Sequence, residues 1–498
     1  MQNIDILTML VFSPIIGAIF LWASNSLALT RLIALLTSLF SLALSLILLS
    51  TFNMNDGGFQ FVVKMTWIPS LNIHYQLGID GISILFLPMT ALLFIAVIIS
   101  SWTSMNAMPR LYYSLLLVLL SAILGIFTAL DTVLFFFFWE LTLIPIYFLV
   151  SLWGIGANRR YAAVKYTLFM MAGGVPLIFG ILLLAFNAAD ASPVGQLSFD
   201  YLHLLNVPVS SDVQNLIFIL LLLGFGSKAP IFPFHTWLPT ITMEGPISIA
   251  AIITGLKLGV YGFIRFMIPL APEAAVNFHW LLAGLGVVGI LYGAIIAINQ
   301  SNLRRMLAYS SISHLGLVIL GIASFNIQGI QGAVYQLLNF TIISGGIFLI
   351  IGFLHHRIGS TETMSLGGVY KSMPLLTSFY FLFLLANMGV PGTNSFIAEL
   401  LLLISAIETH TGAGISALLG IILIAVYFLI HYRRAFLGPV QNNVVASSID
   451  LLPRELGLVL ILSALLLITG LYPSFILDIT QSASENWLQH VIKQGNLQ

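Results

Sequence analysis

The chain has 498 residues, of which 59% are hydrophobic and 7% charged, with a formal net charge of zero and no cysteine. Soluble proteins carry roughly 25% charged residues, so this composition excludes a soluble globular protein and leaves a polytopic membrane protein. Zero net charge without a basic patch speaks against nucleic acid as a partner, and a chain without cysteine holds neither a disulfide nor an iron–sulfur cluster. The near-continuous apolar runs argue for one membrane domain over residues 1–498, although the length alone would allow about three soluble domains.

A spanning helix needs about 20 mostly apolar residues. In chain order that rule places spans near 4–24, 30–51, 78–101, 111–129, 131–153, 161–187 and 214–239. Further spans fall near 246–268, 278–298, 303–323, 328–354, 375–406, 412–436 and 455–473, fourteen in all. The first run has no basic stretch before it, so it reads as a retained helix and not a cleaved signal. Between the second and third spans, residues 52–77 carry Asp56, Gly57, Gly58 and Pro69 with Val62, Met65 and Trp67 between, a loop with some strand and the makings of a surface hairpin. After Pro473, the tail with Trp487, His490 and Lys493 reads as an interfacial helix, or else as a frayed end.

Lys and Arg positions test this count. With both termini on one side, the opposite loops hold eleven of the seventeen basic residues: Arg31, Arg110, Arg159, Arg160, Arg304, Arg305, Arg357, Lys371, Arg433, Arg434 and Arg454. The terminus side holds Lys64, Arg265 and Lys493, and Lys165, Lys228 and Lys257 fall inside spans. By the positive-inside rule the basic loops face the cytoplasm and both termini face away from it.

Two spans are interrupted. The seventh contains Pro230, Pro233 and Pro239, and the twelfth contains Gly389, Pro391 and Gly392 followed by Glu399. Proline removes an amide donor and clashes with the preceding turn. At membrane depth that is tolerated only where protein or a wet cavity satisfies the freed carbonyls. Two broken spans five helices apart suggest two corresponding halves, about 111–268 and 278–436, flanked by helices in 1–101 and 455–498.

Charges inside the spans are the functional candidates. Glu140 is the only charge between Asp131 and the end of its span. Desolvation penalises an isolated carboxylate, so Glu140 needs a cation nearby, and Lys165 is the nearest candidate inside a span unless it snorkels to the interface. Lys228 follows an apolar stretch and precedes the Pro230 break, too deep to snorkel easily. It is suited to gain and lose a proton as its partner moves, the alternative being a fixed structural pair. His235 and His314 read equally well as hydrogen-bonded core residues or proton carriers. Ser310, Ser311 and Ser313 beside His314 favour a hydrated path. Lys257 lies in mid-span among Gly255, Gly259 and Gly262, which leave room for water or a close helix. Glu399, just past the second break, suits both a helix-capping and a titrating role. No phosphate loop, dinucleotide fingerprint, nucleophile elbow or metal-cage spacing is present. A chain of buried titratable groups without its own fuel reads as a proton relay driven from elsewhere.

The stretches FFFFWELTLIPIYFL, AAVKYTLF, GFGSKAPIFPFHTWLP, TGLKLGVYG, NLRRMLAYSSISHLG and VPGTNSFIAE resemble the antiporter-like, proton-pumping chain 4 (subunit M) family of respiratory complex I, over about residues 5–475. The resemblance implies an all-α membrane fold of about fourteen helices, with two inverted five-helix repeats and broken helices seven and twelve. Carried over, Glu140 and Lys228 form the ion pair and central lysine, Lys257 passes the proton on, and Glu399 is the terminal relay residue. Lys165, His235 and His314 match the polar axis. It also implies no cofactor on this chain, with quinone and iron–sulfur clusters on partner subunits. The implied partners are other membrane-arm subunits, among them further antiporter-like chains, together with lipid, water and protons. One departure is that the eleventh span reads QLLNFTIISGG where family members usually carry a histidine, so the Lys257–Glu399 link would run through water and Asn339. That substitution and the GFLHHRIGST stretch are similar to divergent chains of photosynthetic, thylakoid-type complexes that reduce plastoquinone, some of them ferredoxin-dependent and specialised for carbon dioxide uptake. The alternatives to a translocating subunit are a multi-subunit sodium/proton antiporter chain and a non-conducting scaffold with static ion pairs.

Overall fold

Apolar segments this long satisfy their backbone internally or not at all in lipid, so they fold as helices. The computed structural model describes residues 5–193 and 195–495. Among them, eleven helices are long and apolar enough to cross a membrane. Three further crossings complete the expected fourteen. The third is a 15-residue helix, Phe86–Ser100. The seventh is Ser211–Lys228 resumed at Trp237–Glu244, and the twelfth is Pro374–Asn387 resumed at Asn394–Thr409.

The third span starts later than the sequence suggested because its first residues belong to a hairpin. Strands β1 (Gln60–Ile68) and β2 (Ile73–Ile79) pair antiparallel, with Val63 opposite Leu77 and Met65 opposite Tyr75. Asn72 takes the left-handed conformation that closes the turn (φ 54°), a region Asn enters at modest cost. The tail is a continuous helix, Ser474–Gln494, not a frayed end. Its Trp487 and His490 donate to the carbonyls of Ile264 (2.7 Å) and Pro269 (3.0 Å) at the end of the eighth span.

Two interruptions beyond the expected pair appear. The fifth span is divided at Thr142 into Thr132–Leu141 and Leu143–Trp153, because Pro145 has no amide to offer the Leu141 carbonyl. The eighth, expected as one helix, is Ile247–Gly255, then extended backbone at Leu256 and a non-helical Lys257, then Leu258–Gly262 and a wide π turn over Phe263–Met267. Lys257 therefore sits in a break, not in mid-helix. A further correction concerns Arg265. Counted as a loop residue from its position at the end of an apolar run, it is 3% exposed and lies inside the bundle.

The two halves carry matching pins on their fifth and tenth spans. Asp131 caps the helix of the fifth span through the amides of Val133 and Leu134, and its backbone bridges to Asp200 in the loop after the sixth. Asn302 caps the tenth through the Arg304 amide and bridges to Glu362 in the loop after the eleventh. The flanking bonds repeat as well: Thr132 N–H to Phe199 O (2.8 Å), and Leu303 N–H to Thr361 O (3.0 Å). Such paired, broken-helix halves are the architecture of repeat-built transporters.

Candidate functional site

The polar axis forms where helices break. Lys228 is the last residue of its helix before the Pro230 interruption, and its ammonium donates to the Trp139 carbonyl (3.0 Å) and Thr142 Oγ1 (2.8 Å). The Trp139 ring lies 4.0 Å from the same nitrogen, a cation–π contact. Both acceptors for the lysine on the seventh span therefore lie at the point where the fifth span is divided.

Glu140, on the same turn as Trp139, makes no ion pair with Lys228 within 4.0 Å among the described residues. One of its carboxylate oxygens is buried without a hydrogen-bond partner. The carboxyl occupies the space left by Gly174 on the sixth span, where a Cβ would stand 2.5 Å from Oε1. Lys165, the nearest cation inside a span to Glu140 in sequence, is turned elsewhere. It donates to Thr236 O (2.9 Å) and Thr240 Oγ1 (3.0 Å), binding the sixth span to the resumed part of the seventh and not snorkelling outward. His235, on the irregular stretch between, hydrogen-bonds Tyr292 Oη (3.1 Å) and packs edge-on against its ring.

From Lys228 towards the eighth span runs a cavity of about 30 Å³, walled by Thr142, Tyr166 and Trp237 on one side and by Ile252, Leu256 and Leu258 on the other. That is room for one or two waters, with an aliphatic wall nearest Lys257. Lys257 is buried. Its ammonium hydrogen-bonds Ser311 Oγ and lies 5.2 Å from the Phe340 ring.

Ser311 and His314 are three residues apart on the tenth span and so share a helix face. His314 Nδ1 is 3.6 Å from Glu399 Oε1, both residues being buried. Between Ser311 and His314 lies a cavity of about 10 Å³, also lined by Ser310, Ser344 and Asn387, close to the volume one water requires. Glu399 lies beyond the second break, where Gly389 and Gly392 take positive φ (64° and 92°) that other residues adopt only with strain. The Gly389 position also leaves room for the Glu399 carboxyl, which a Cβ there would strike. Each half therefore seats a carboxylate against a glycine.

Asn339, expected to link Lys257 with Glu399, points another way: its amide donates to Gln336 Oε1 (3.2 Å) and Asn394 O (2.9 Å). The direct geometric connection passes through Ser311 and His314. Asn394 carries two buried side-chain atoms without partners and joins Asn339, Gln336 and Ser395 in a polar nest under the second break. A second group that sequence reading missed is Arg265 with Asp80, joined by two bonds of 2.9 and 2.5 Å, with Tyr261 Oη at 3.2 Å and the Phe59 ring at 5.0 Å. Asp80, a carboxylate within the expected third span, was the available signal.

Paired halves, broken helices and a train of buried ionisable groups define a class: membrane proteins of the antiporter-like, proton-handling type. Within that class, residues 129–425 match the family described as NADH:quinone oxidoreductase/Mrp antiporter, TM, and the chain belongs to it. It is 35% identical to NADH-quinone oxidoreductase subunit M of Pseudomonas aeruginosa, over 97% of this chain and 98% of that protein. Its fold superposes on a chain of respiratory complex I from Thermus thermophilus with a TM-score of 0.88, at 29% identity, covering 97% of this chain and 99% of that one. A chain of the Mrp complex from Dietzia gives a TM-score of 0.85 at 20% identity, covering 99% of this chain and 100% of that one, which is a likeness of fold alone.

Proposed function

We propose that this chain is a proton-translocating membrane-arm subunit of a complex I-like NADH–quinone oxidoreductase. Redox chemistry on other subunits drives it, and those subunits carry the quinone site and the iron–sulfur clusters. The observation that carries the reading is the tenth span, which presents Ser311 to Lys257 and His314 to Glu399 from one face. Displacing Glu140 relative to Lys228 changes the field at the lysine, and its proton moves through water to Lys257. Ser311, His314 and Glu399 then pass it on. The groups separated in this conformation need a two-state element to bring them together, and the breaks in the seventh, eighth and twelfth spans are that element. In this reading the basic loops face the cytoplasm, both termini face away, and the membrane is the bacterial inner membrane.

The test uses the assembled complex in sealed vesicles, with NADH oxidation and the pH gradient followed together. Glu140→Gln should lower proton translocation while the complex assembles normally. Unchanged translocation per electron would reduce the chain to a scaffold. A photosynthetic, ferredoxin-dependent subtype rests on Asn339, Phe340 and the GFLHHRIGST stretch. The full-length match to an NADH-quinone oxidoreductase subunit favours the NADH reading, and the electron donor accepted by the assembled complex separates the two. Sodium-driven proton flux without any donor would favour the antiporter reading instead.

A further inference from the structure

A cavity of about 580 Å³ opens between the third, fifth, eighth and eleventh spans, at the end of the bundle where the basic loops lie. Arg159, His355 and His356 stand at its mouth, and Ser100, Ser101 and Ser248 line its wall. Tyr112 Oη, behind the wall, ties Ser101 and Ser248 together at 3.0 and 3.2 Å, which makes a patch of hydroxyls in an otherwise mostly apolar lining. That is far more room than a single water needs. Phe348, 1% exposed, forms part of its lining. The same Phe348 side chain lines the small cavity that holds Ser311 and His314. One aromatic ring is thus a shared wall between a wide vestibule, mostly apolar with a patch of hydroxyls, and the middle of the proposed relay.

We propose that the second half of the relay has its own proton inlet from the basic-loop side, closed in this conformation by Phe348. The inference rests on the relay reading and adds to it a route that bypasses Lys228. A hydrophobic ring across a narrow polar passage gates by excluding water. One turn before it the eleventh span reads Ser344-Gly345-Gly346, the kind of sequence at which helices kink, so a small bend there swings the ring. With the ring in place, the water at Ser311 and His314 is cut off from the vestibule. With it displaced, Lys257 and His314 reload without waiting for a proton from the first half. A closed ring also keeps the relay from opening to both sides of the membrane at once.

The absence of cysteine from this chain makes the test direct. Ser248→Cys places a thiol in the vestibule and Ser344→Cys places one behind the ring, each introduced into the assembled complex. A water-soluble thiol reagent is applied from the basic-loop side, and modification of this chain is read by mass spectrometry. The proposal expects Ser248→Cys to react readily, and Ser344→Cys to react only when combined with Phe348→Ala. Phe348→Ala alone should raise the passive proton leak of donor-free vesicles several-fold, and Phe348→Leu, which keeps most of the bulk, should raise it less. Adding Glu399→Gln to Phe348→Ala should return the leak to the wild-type level.

Equal reaction at Ser344→Cys with and without the ring would overturn the gate. So would a thiol at position 248 that reacts only after lipid is stripped by detergent, since the vestibule would then be a lipid site. A silent leak assay in a Phe348→Ala complex that still oxidises NADH would overturn it too. If Phe348→Ala is silent while Glu140→Gln still abolishes translocation, the inlet fails and the relay stands. If Glu140→Gln is silent, the relay reading itself fails.

Discussion

Lys257 and Arg265 lie on the same interrupted span, both buried, and they are held in opposite ways. Arg265 is closed off by two bonds to Asp80, one to Tyr261 and a ring face. Lys257 has one neutral hydroxyl and a more distant ring. A guanidinium stays charged and its planar fork fits a carboxylate, whereas a lysine ammonium is a point charge that can shed its proton. The closed pair cannot change state without stranding a charge in the bundle. The lysine can, because the Ser311 hydroxyl both donates and accepts. Burial alone therefore does not mark a proton carrier; a replaceable partner does.

Breaking the closed pair should give the largest effect. Arg265→Ala leaves Asp80 buried and uncompensated, a change worth about 3–5 kcal/mol, and should show as a loss of assembled, thermally stable complex. The double replacement Asp80→Leu with Arg265→Met removes both charges, and such swaps are often close to neutral. It should restore assembly with proton translocation intact. Restored assembly without translocation would move the pair from the structural side of the comparison to the relay.

Lys257→Met should leave assembly nearly unchanged and cut translocation by about tenfold, the equivalent of ~1.4 kcal/mol on the limiting step. Lys257→Arg sharpens the point. It keeps the positive charge and cannot release a proton, so a relay role predicts no rescue. Rescue by arginine in the vesicle assay would make Lys257 a second Arg265. Lys165→Ala should fall between the two classes. Its ammonium fastens Thr236 O and Thr240 Oγ1 across a break, and hydrogen bonds to a charged group contribute about 1.5–3 kcal/mol. Part of that should appear as a lower unfolding temperature, with translocation reduced but not lost.

The contrast between these residues also marks what the amino-acid sequence discloses. Glu140, Lys228, Lys257 and Glu399 are visible as charges in apolar runs, and the breaks of the seventh and twelfth spans are punctuated by Pro230, Pro233, Gly389 and Pro391. The break at Lys257 has no proline beside it, only Gly255 and Gly259, and glycine inside a membrane helix is common. Pro145 did announce the division at Thr142, but that the Thr142 hydroxyl accepts from Lys228 depends on a contact 86 residues away. The Asp80–Arg265 pair spans 185 residues, and no periodicity reports it. Partners such as Ser311, Thr142 and Asn394 are ordinary helix residues until the fold aims them at a charge. The charged residues of the proposed relay stand out in the sequence; the neutral groups that hold them do not.

The smallest effect should come from an ion pair almost as short as that of Arg265 with Asp80. Lys64 Nζ lies 2.6 Å from Asp200 Oδ2 on the hairpin, but the lysine side chain is 44% exposed. Water and salt already solvate the lysine there, although the Asp200 side chain is only 15% exposed, and a pair with one exposed partner contributes about 1 kcal/mol or less. Asp200 keeps its other work in any case, capping a short helix through the amides of Leu202 (2.9 Å) and His203 (3.4 Å). Lys64→Ala should therefore shift the unfolding temperature little at low salt and not at all at high salt, where screening shortens the reach of exposed charges. If it destabilised the complex as much as Arg265→Ala, the surroundings of a pair would not be what sets its strength. The distinction between the locked arginine and the exchangeable lysines would then lose its physical basis.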